Sequence, residues 1–129
     1  MLTDKELDII FDRFGAPRLR ILKTGEVVTW KGRPLGYLID GQIVHGSSGQ
    51  HVGWYEDGLL RDNGGHTVGF GLKPEDTPSP FLPSQQSLPA RGSVKNLPDR
   101  PKFHVPHLKP PKSFGWSPYD PVQLFGDPV

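Results

Sequence analysis

The stretch Ser48-Gly49-Gln50-His51-Val52-Gly53-Trp54-Tyr55-Glu56-Asp57-Gly58-Leu59-Leu60-Arg61-Asp62 decides how the chain is to be read. After its first glycine, Gly49, comes the triplet Val52-Gly53-Trp54, then the turn pair Asp57-Gly58, then two aliphatics. Working outward, the same order recurs on both sides. Gly32 leads to Leu35-Gly36-Tyr37 and Asp40-Gly41, and Gly65 leads to Val68-Gly69-Phe70. Upstream, Gly15 leads to Arg18-Leu19-Arg20, so the first unit is degenerate at the aliphatic, glycine and aromatic positions. The four leading glycines stand 17, 17 and 16 residues apart. Each follows a β-branched or aliphatic pair: Ile9-Ile10, Val27-Val28, Ile43-Val44 and Leu59-Leu60.

A fixed period of this size is the signature of a repeat architecture. Within each unit a strand leads to a Gly turn, and a second strand leads to another turn. Asp-Gly is a tight-turn signal because glycine accepts positive φ without a Cβ clash. Gly46-Ser47-Ser48-Gly49 and Asp62-Asn63-Gly64-Gly65 carry the same turn chemistry. A glycine at one phase within a strand implies close approach of another group, here expected to be a ring from the neighbouring unit. The fold class is therefore all-β: four pseudo-symmetric hairpins of about 17 residues in a closed ring over residues 1–73. An extended tail, residues 74–129, follows it.

Two patterns compete at the start of the chain. Thr3-Asp4-Lys5-Glu6 matches a capping box, and Leu7, Ile10, Phe11 and Phe14 fall at helical spacing. A short helical turn near residues 4–8 followed by strand is the expectation.

Ser48 to Asp62 resembles the most characteristic stretch of bacterial proteins called four-fold β-flower proteins. Gly32-Arg33-Pro34-Leu35-Gly36-Tyr37-Leu38-Ile39-Asp40-Gly41 is similar to their preceding unit. Those proteins also tend to carry a Pro- and basic-rich tail ending in Trp-Ser, here Trp116-Ser117. The resemblance covers residues 9–72 well and the tail loosely. It implies the fold and brings no activity, cofactor or catalytic residue with it.

Composition divides at the same place. Thirteen of the 16 glycines lie within residues 1–73, and 13 of the 15 prolines lie beyond them. In the tail no helical or alternating period survives and the prolines show no phase, which favours extended conformations. Disordered tails are poor in aromatics, yet this one holds Phe81, Phe103, Phe114, Trp116, Tyr119 and Phe125. A core of about 64 residues without a disulfide is near the lower limit for independent stability, so the tail, self-association or a larger complex must supplement it.

Net charge is +1 and cysteine is absent, which removes disulfides, thiolate metal sites and thiol catalysis. No apolar run nears the roughly 18 residues of a spanning helix. The acidic start lacks a signal-peptide core, so a cytoplasmic protein without membrane contact is expected.

His104-Val105-Pro106-His107 pairs two imidazoles, but the proline blocks helical spacing and no third ligand is identifiable. His51 and His66, just after repeat glycines, are the candidates for a pocket on the ring's rim. Asp40, Asp57 and Asp62 are accounted for as turn residues. Gly64-Gly65-His66-Thr67-Val68-Gly69 lacks the helix and Lys-Ser/Thr of a phosphate loop. No catalytic constellation emerges, so neither an enzyme nor a cofactor or metal site is expected. From Arg91 to Lys112 six basic residues face Asp99 alone, a segment able to meet phosphate or an acidic protein.

These features point to a non-catalytic interaction module whose tail docks on a protein partner or a second copy. Trp54, Tyr55, Phe103, Phe114, Trp116 and Tyr119 are the expected partner-binding residues. The alternative is a small-ligand or nucleic-acid binding protein that uses the rim and the basic, aromatic tail. On this basis removal of residues 99–129 is expected to spare the β-structure.

Overall fold

A computed structural model describes residues 2–96, 99–106 and 108–126. Eight strands run in chain order: β1 (Glu6–Phe11), β2 (Pro17–Leu22), β3 (Glu26–Thr29), β4 (Pro34–Ile39), β5 (Gln42–His45), β6 (His51–Glu56), β7 (Leu59–Asp62) and β8 (Thr67–Phe70). Each pairs antiparallel with the next, and β8 returns to β1 through Phe11 and Phe70, closing a barrel. The expected all-β ring of four hairpins is this barrel, one repeat per hairpin. No described helix is long and apolar enough to cross a membrane.

Strands this short close into a barrel only if each one bends, and bulges supply the bend. Register shifts fall between Ile10 and Phe11, Val27 and Val28, Ile43 and Val44, and Leu60 and Arg61. These sit at one phase of the repeat, within or beside the aliphatic pairs. In the Asp-Gly turns Asp40 and Asp57 have φ of 51° and 55°, and Gly41 and Gly58 have 77° and 73°. Two successive left-handed residues are what a two-residue hairpin of matching twist requires. At the other end, a side chain anchors each hairpin turn. Asp12, Thr29, His45 and Asp62 accept from backbone N–H groups of the turns that follow them.

The expected helical turn at residues 4–8 is not there: Asp4 and Lys5 form a turn and strand begins at Glu6. The capping-box hydrogen bond is nonetheless made, from Thr3 N to Glu6 Oε1 (3.1 Å). Helical spacing misled because Ile9, Ile10 and Phe11 are all buried, Ile10 in the lumen and its neighbours beneath the tail. A strand covered on both faces shows no alternation. Phe14, which the helical pattern would bury, is 72% exposed.

The lumen is filled by Ile10, Leu19, Ile21, Val27, Leu35, Ile43, Leu60 and Val68. Val122 and Phe125 join them from the tail, on and beside the 3₁₀ turn Gln123–Phe125. This plug explains the in-strand glycines. A Cβ on Gly36 would lie 2.7 Å from Phe125 Cε1, one on Gly53 3.3 Å from Leu124 Cδ2, and one on Gly69 3.1 Å from Pro121 Cγ. Each would also press on a carbonyl of the adjoining strand: Val44, Arg61 or Phe11. The space thus serves the plug and the neighbouring backbone, not a ring from the next repeat.

The tail is phased after all. Backbone N–H groups of Gln86, Lys95, His104 and Ser113 donate to the carbonyls of Gly15, Gly32, Gly49 and Gly65, at 2.8, 2.9, 2.9 and 3.1 Å. The donors are nine residues apart while the acceptors are 16 or 17 apart, so one nine-residue step of tail crosses each repeat. Pro83, Gly92, Pro101 and Pro110 recur at the same nine-residue phase. So do Arg91, Arg100 and Lys109, each lying over an aromatic of the wall: Trp30 (5.0 Å), Tyr37 (4.9 Å) and Trp54 (5.5 Å). Such cation–ring contacts are favourable where the ring's face is otherwise open to water. Arg91 also pairs with buried Glu6 (2.8 Å), which meets Arg20 at 3.5 Å. Lys112 donates to Asp57 at 2.8 Å, holding that carboxyl below and the ammonium above their ordinary ranges.

The opposite end of the barrel is closed by polar contacts. Tyr55 donates its hydroxyl to Asp8, whose other oxygen accepts from Ile9 N (2.8 Å) and Leu72 N (3.0 Å). Burial, reinforced by that carboxylate, pushes the Tyr55 phenol well above its ordinary range.

Candidate functional site

The mouth carrying the four repeat glycines is where the chain's asymmetry collects. Three turns keep polar or small residues around their glycine, and the plug is clamped from the first repeat. Arg18 grips Asp120 bidentately, with N–H···O distances of 3.0, 3.2 and 3.1 Å. Asp120 in turn accepts from Val122 N (2.9 Å), and its own N–H donates to Gln123 (3.0 Å). Paired donors from a planar guanidinium fix direction as well as distance. The first repeat's degeneracy therefore has a cause. Arg18 holds the plug where the other units have an aliphatic residue. Leu19 fills the lumen where they have glycine. Arg20 reaches Glu6 and the Gly92 carbonyl (2.6 Å) where they have an aromatic.

Clefts open around the plug. One, of about 590 Å³, is lined by His51, Asp62, Asn63, His104, Tyr119 and Gln123 among others. His51 is buried with its ring edge against Trp54, 4.7 Å between centroids. Asp62 is committed to its turn, where one oxygen accepts from Gly64 N (2.9 Å) and His66 N (3.0 Å). His66 stands outside this cleft, its Nδ1 3.7 Å from the same oxygen. Of the two rim histidines only His51 lines the cleft, and a tail residue, His104, joins it there. His107 lies outside the described residues. Among those described, no group of three or more side chains could hold a metal ion.

A second cleft, of about 540 Å³, lies on the other side of Val122, between the β3–β4 turn and the tail. A third, of about 230 Å³, separates Phe14 from Trp116 and Tyr119.

The six aromatics expected to meet a partner are divided. Trp54 lies between His51 and Lys109, Tyr55 reaches Asp8 at the closed end, and Phe103 packs on Tyr37 (6.0 Å between centroids). Trp116 packs against the wall cluster around Phe70, with Arg13 over its ring at 5.7 Å. Only Phe114 and Tyr119 are exposed, 72% and 53%. Sequence inspection missed Arg18, Asp120, Lys31, Arg33 and Lys95 as site residues. The signal for the first was present in the broken repeat Arg18-Leu19-Arg20; Lys95 was marked only as one of the six basic residues between Arg91 and Lys112, and the tail's nine-residue phase is what places it at the mouth.

Fold and mouth together define a plugged, pseudo-four-fold up-and-down barrel girdled by its own tail. The model of the 4-fold beta flower protein family matches residues 8–125, and the chain belongs to that family. The matched span takes in the tail and plug as well as the barrel. No curated protein and no solved structure matches the chain.

Proposed function

We propose that this protein is a non-catalytic binding module that presents its barrel mouth to another protein. One observation carries the proposal: the tail's Phe103, Trp116 and Phe125 are packed within the chain, while aromatic rings at the mouth are left in water. Phe14 is exposed on the first repeat's turn, and Phe114 and Tyr119 are exposed on the tail where it crosses the fourth repeat's Gly65 turn and returns beside Phe14. Exposed rings grouped beside a cleft are typical of interaction surfaces. In this proposal the tail is an internal strap and not the arm that reaches a partner. The strap's cations Arg91, Arg100, Lys109 and Lys112 already face rings, carboxylates or carbonyls of the wall, which weighs against a phosphate track along the tail.

The test is photo-cross-linking in the native host, with the reactive amino acid at position 119 or, as control, at Asp40 in the closed end. A discrete adduct, with another protein or a second copy, from position 119 alone supports a binding mouth. Equal adducts from both positions, or none from position 119, would sink it.

A further inference from the structure

The geometry points to the second mouth cleft as a binding site for a small, multiply charged anion of the oligophosphate class. Arg18, Thr29, Lys31, Arg33 and Lys95 line it beside Val122, and no carboxylate is among its described lining residues. Its cations come from three separate segments: strand β2, the β3–β4 turn and the strap.

These segments are held in register. Gly92 N donates to the Trp30 carbonyl (3.1 Å) and Lys95 N to the Gly32 carbonyl (2.9 Å), bracketing Lys31 between them. A Cβ on Gly92 would sit 2.1 Å from the Lys31 carbonyl oxygen, so the strap lies directly on that turn. The backbones carrying Lys31 and Lys95 are thus fixed, and only their side chains move on binding. Neither ammonium has an ion-pair or hydrogen-bond partner among the described residues. Arg18 keeps Nη1 outside its bidentate pair with Asp120. Thr29 Oγ1 accepts from Arg33 N (3.0 Å), leaving its hydroxyl proton to donate.

The repeat supplies an internal comparison. At the positions of Lys31 and Arg33 the other units carry Phe14 and Ala16, Ser48 and Gln50, or Gly64 and His66. At the phase of Lys95 the strap elsewhere has Gln86, His104 and Ser113. Three cations therefore break the four-fold pattern in one quadrant, on both the β3–β4 turn and the strap that line its cleft. Lys31 and Lys95, like charges gathered on one cleft with no ion-pair partner among the described residues, repel one another, and an anion relieves that repulsion. A concavity bounded by plug and strap suits a compact anion such as pyrophosphate better than an extended nucleic-acid strand, because the cations further along the strap face the wall.

Calorimetric titration of the full chain with inorganic pyrophosphate and tripolyphosphate tests this, with chloride matched for ionic strength. One site is expected, binding tripolyphosphate more tightly than pyrophosphate and weakening as salt rises. The double variant Lys31→Gln/Lys95→Gln should weaken pyrophosphate binding at least tenfold. Lys23→Gln/Lys73→Gln removes the same charge from exposed positions outside the cleft and should change it less than twofold. All four side chains are exposed, so circular dichroism should match the parent. No saturable binding, or equal weakening by both double variants, would overturn the proposal. So would binding of a single-stranded oligonucleotide that pyrophosphate fails to displace.

Discussion

Truncating Phe125 to alanine probes the seating of the plug. Its ring is 3% exposed and lies in the lumen against the face left open by Gly36. Loss of a buried Phe side chain costs about 3–5 kcal/mol, depending on how far the surroundings collapse. Here the wall is a closed ladder of hydrogen-bonded strands that cannot shrink by one strand, which places the cost near the upper half, about 4 kcal/mol. At roughly 0.05–0.15 kcal/mol per residue, total stability is of order 6–19 kcal/mol, so the variant should fold but melt about 10–15 °C lower. Urea unfolding followed by tryptophan fluorescence and far-ultraviolet circular dichroism measures the loss. Tyr119→Ser, five residues before the 3₁₀ turn's midpoint but exposed, should fall within about 0.5 kcal/mol of the parent. A loss below about 1 kcal/mol for Phe125→Ala would mean that the ring does not complete the core. By the same logic, removing residues 99–129 takes away Val122 and Phe125 together and should unfold the barrel, the reverse of what the tail's composition suggested.

Gly32→Ala combines a left-handed φ of 95° with a Cβ 2.0 Å from the Ser93 carbonyl oxygen, so the strap must lift at that step. Limited proteolysis between residues 84 and 101 should accelerate at least tenfold. Gly126→Ala, at φ 80° with nothing within 4 Å of its Cβ, should cost only the left-handed strain of about 1–2 kcal/mol; similar proteolysis for both would refute the collision. A double-mutant cycle with Arg18→Gln and Asp120→Asn should yield a coupling of about 1 kcal/mol, because the pair is partly exposed. A coupling of zero would remove the clamp. Tyr55 has a folded-state pKa raised above its unfolded value by burial and by Asp8. Its stabilising effect is complete below about pH 10 and is lost as pH rises beyond that, because the unfolded chain ionises first. Phenolate absorbance should show Tyr55 silent in the folded protein at pH 11, and Tyr55→Phe should flatten the alkaline fall in stability. Ordinary titration of Tyr55 would refute the buried contact.

The barrel could be read from the sequence because its signals are local and repeated. Asp40-Gly41 and Asp57-Gly58 dictate their own turns, and Gly36, Gly53 and Gly69 announce a crowded face. What lay beyond reach was the identity of the crowding group, since Pro121, Leu124 and Phe125 sit 50 or more residues downstream. The beginning of β1 was misjudged because a strand buried on both faces has no period of its own, and Thr3 and Glu6 make the same side-chain bond at a turn as at a helix. At the mouth, His51 was found from its place after Gly49. His66, one unit on, falls outside the same cleft because it belongs to the far side of the Asp62 turn. The basic cleft was hidden because Lys31 and Lys95 meet only when the strap is laid against the repeat glycines.

The strap's nine-residue step and the barrel's 16–17-residue unit mesh like two gears of different pitch. A single residue deleted between Ser93 and Lys102 cannot stay local, because it withdraws every later tooth from its glycine and pulls the plug out of line. Enlarging the ring by tandem duplication is blocked for the same reason. A fifth hairpin needs a fifth strap step inserted elsewhere in the chain, and a plug wide enough for the larger bore. The molecule is thus locked at four-fold size by the coordination of two distant stretches of its own sequence.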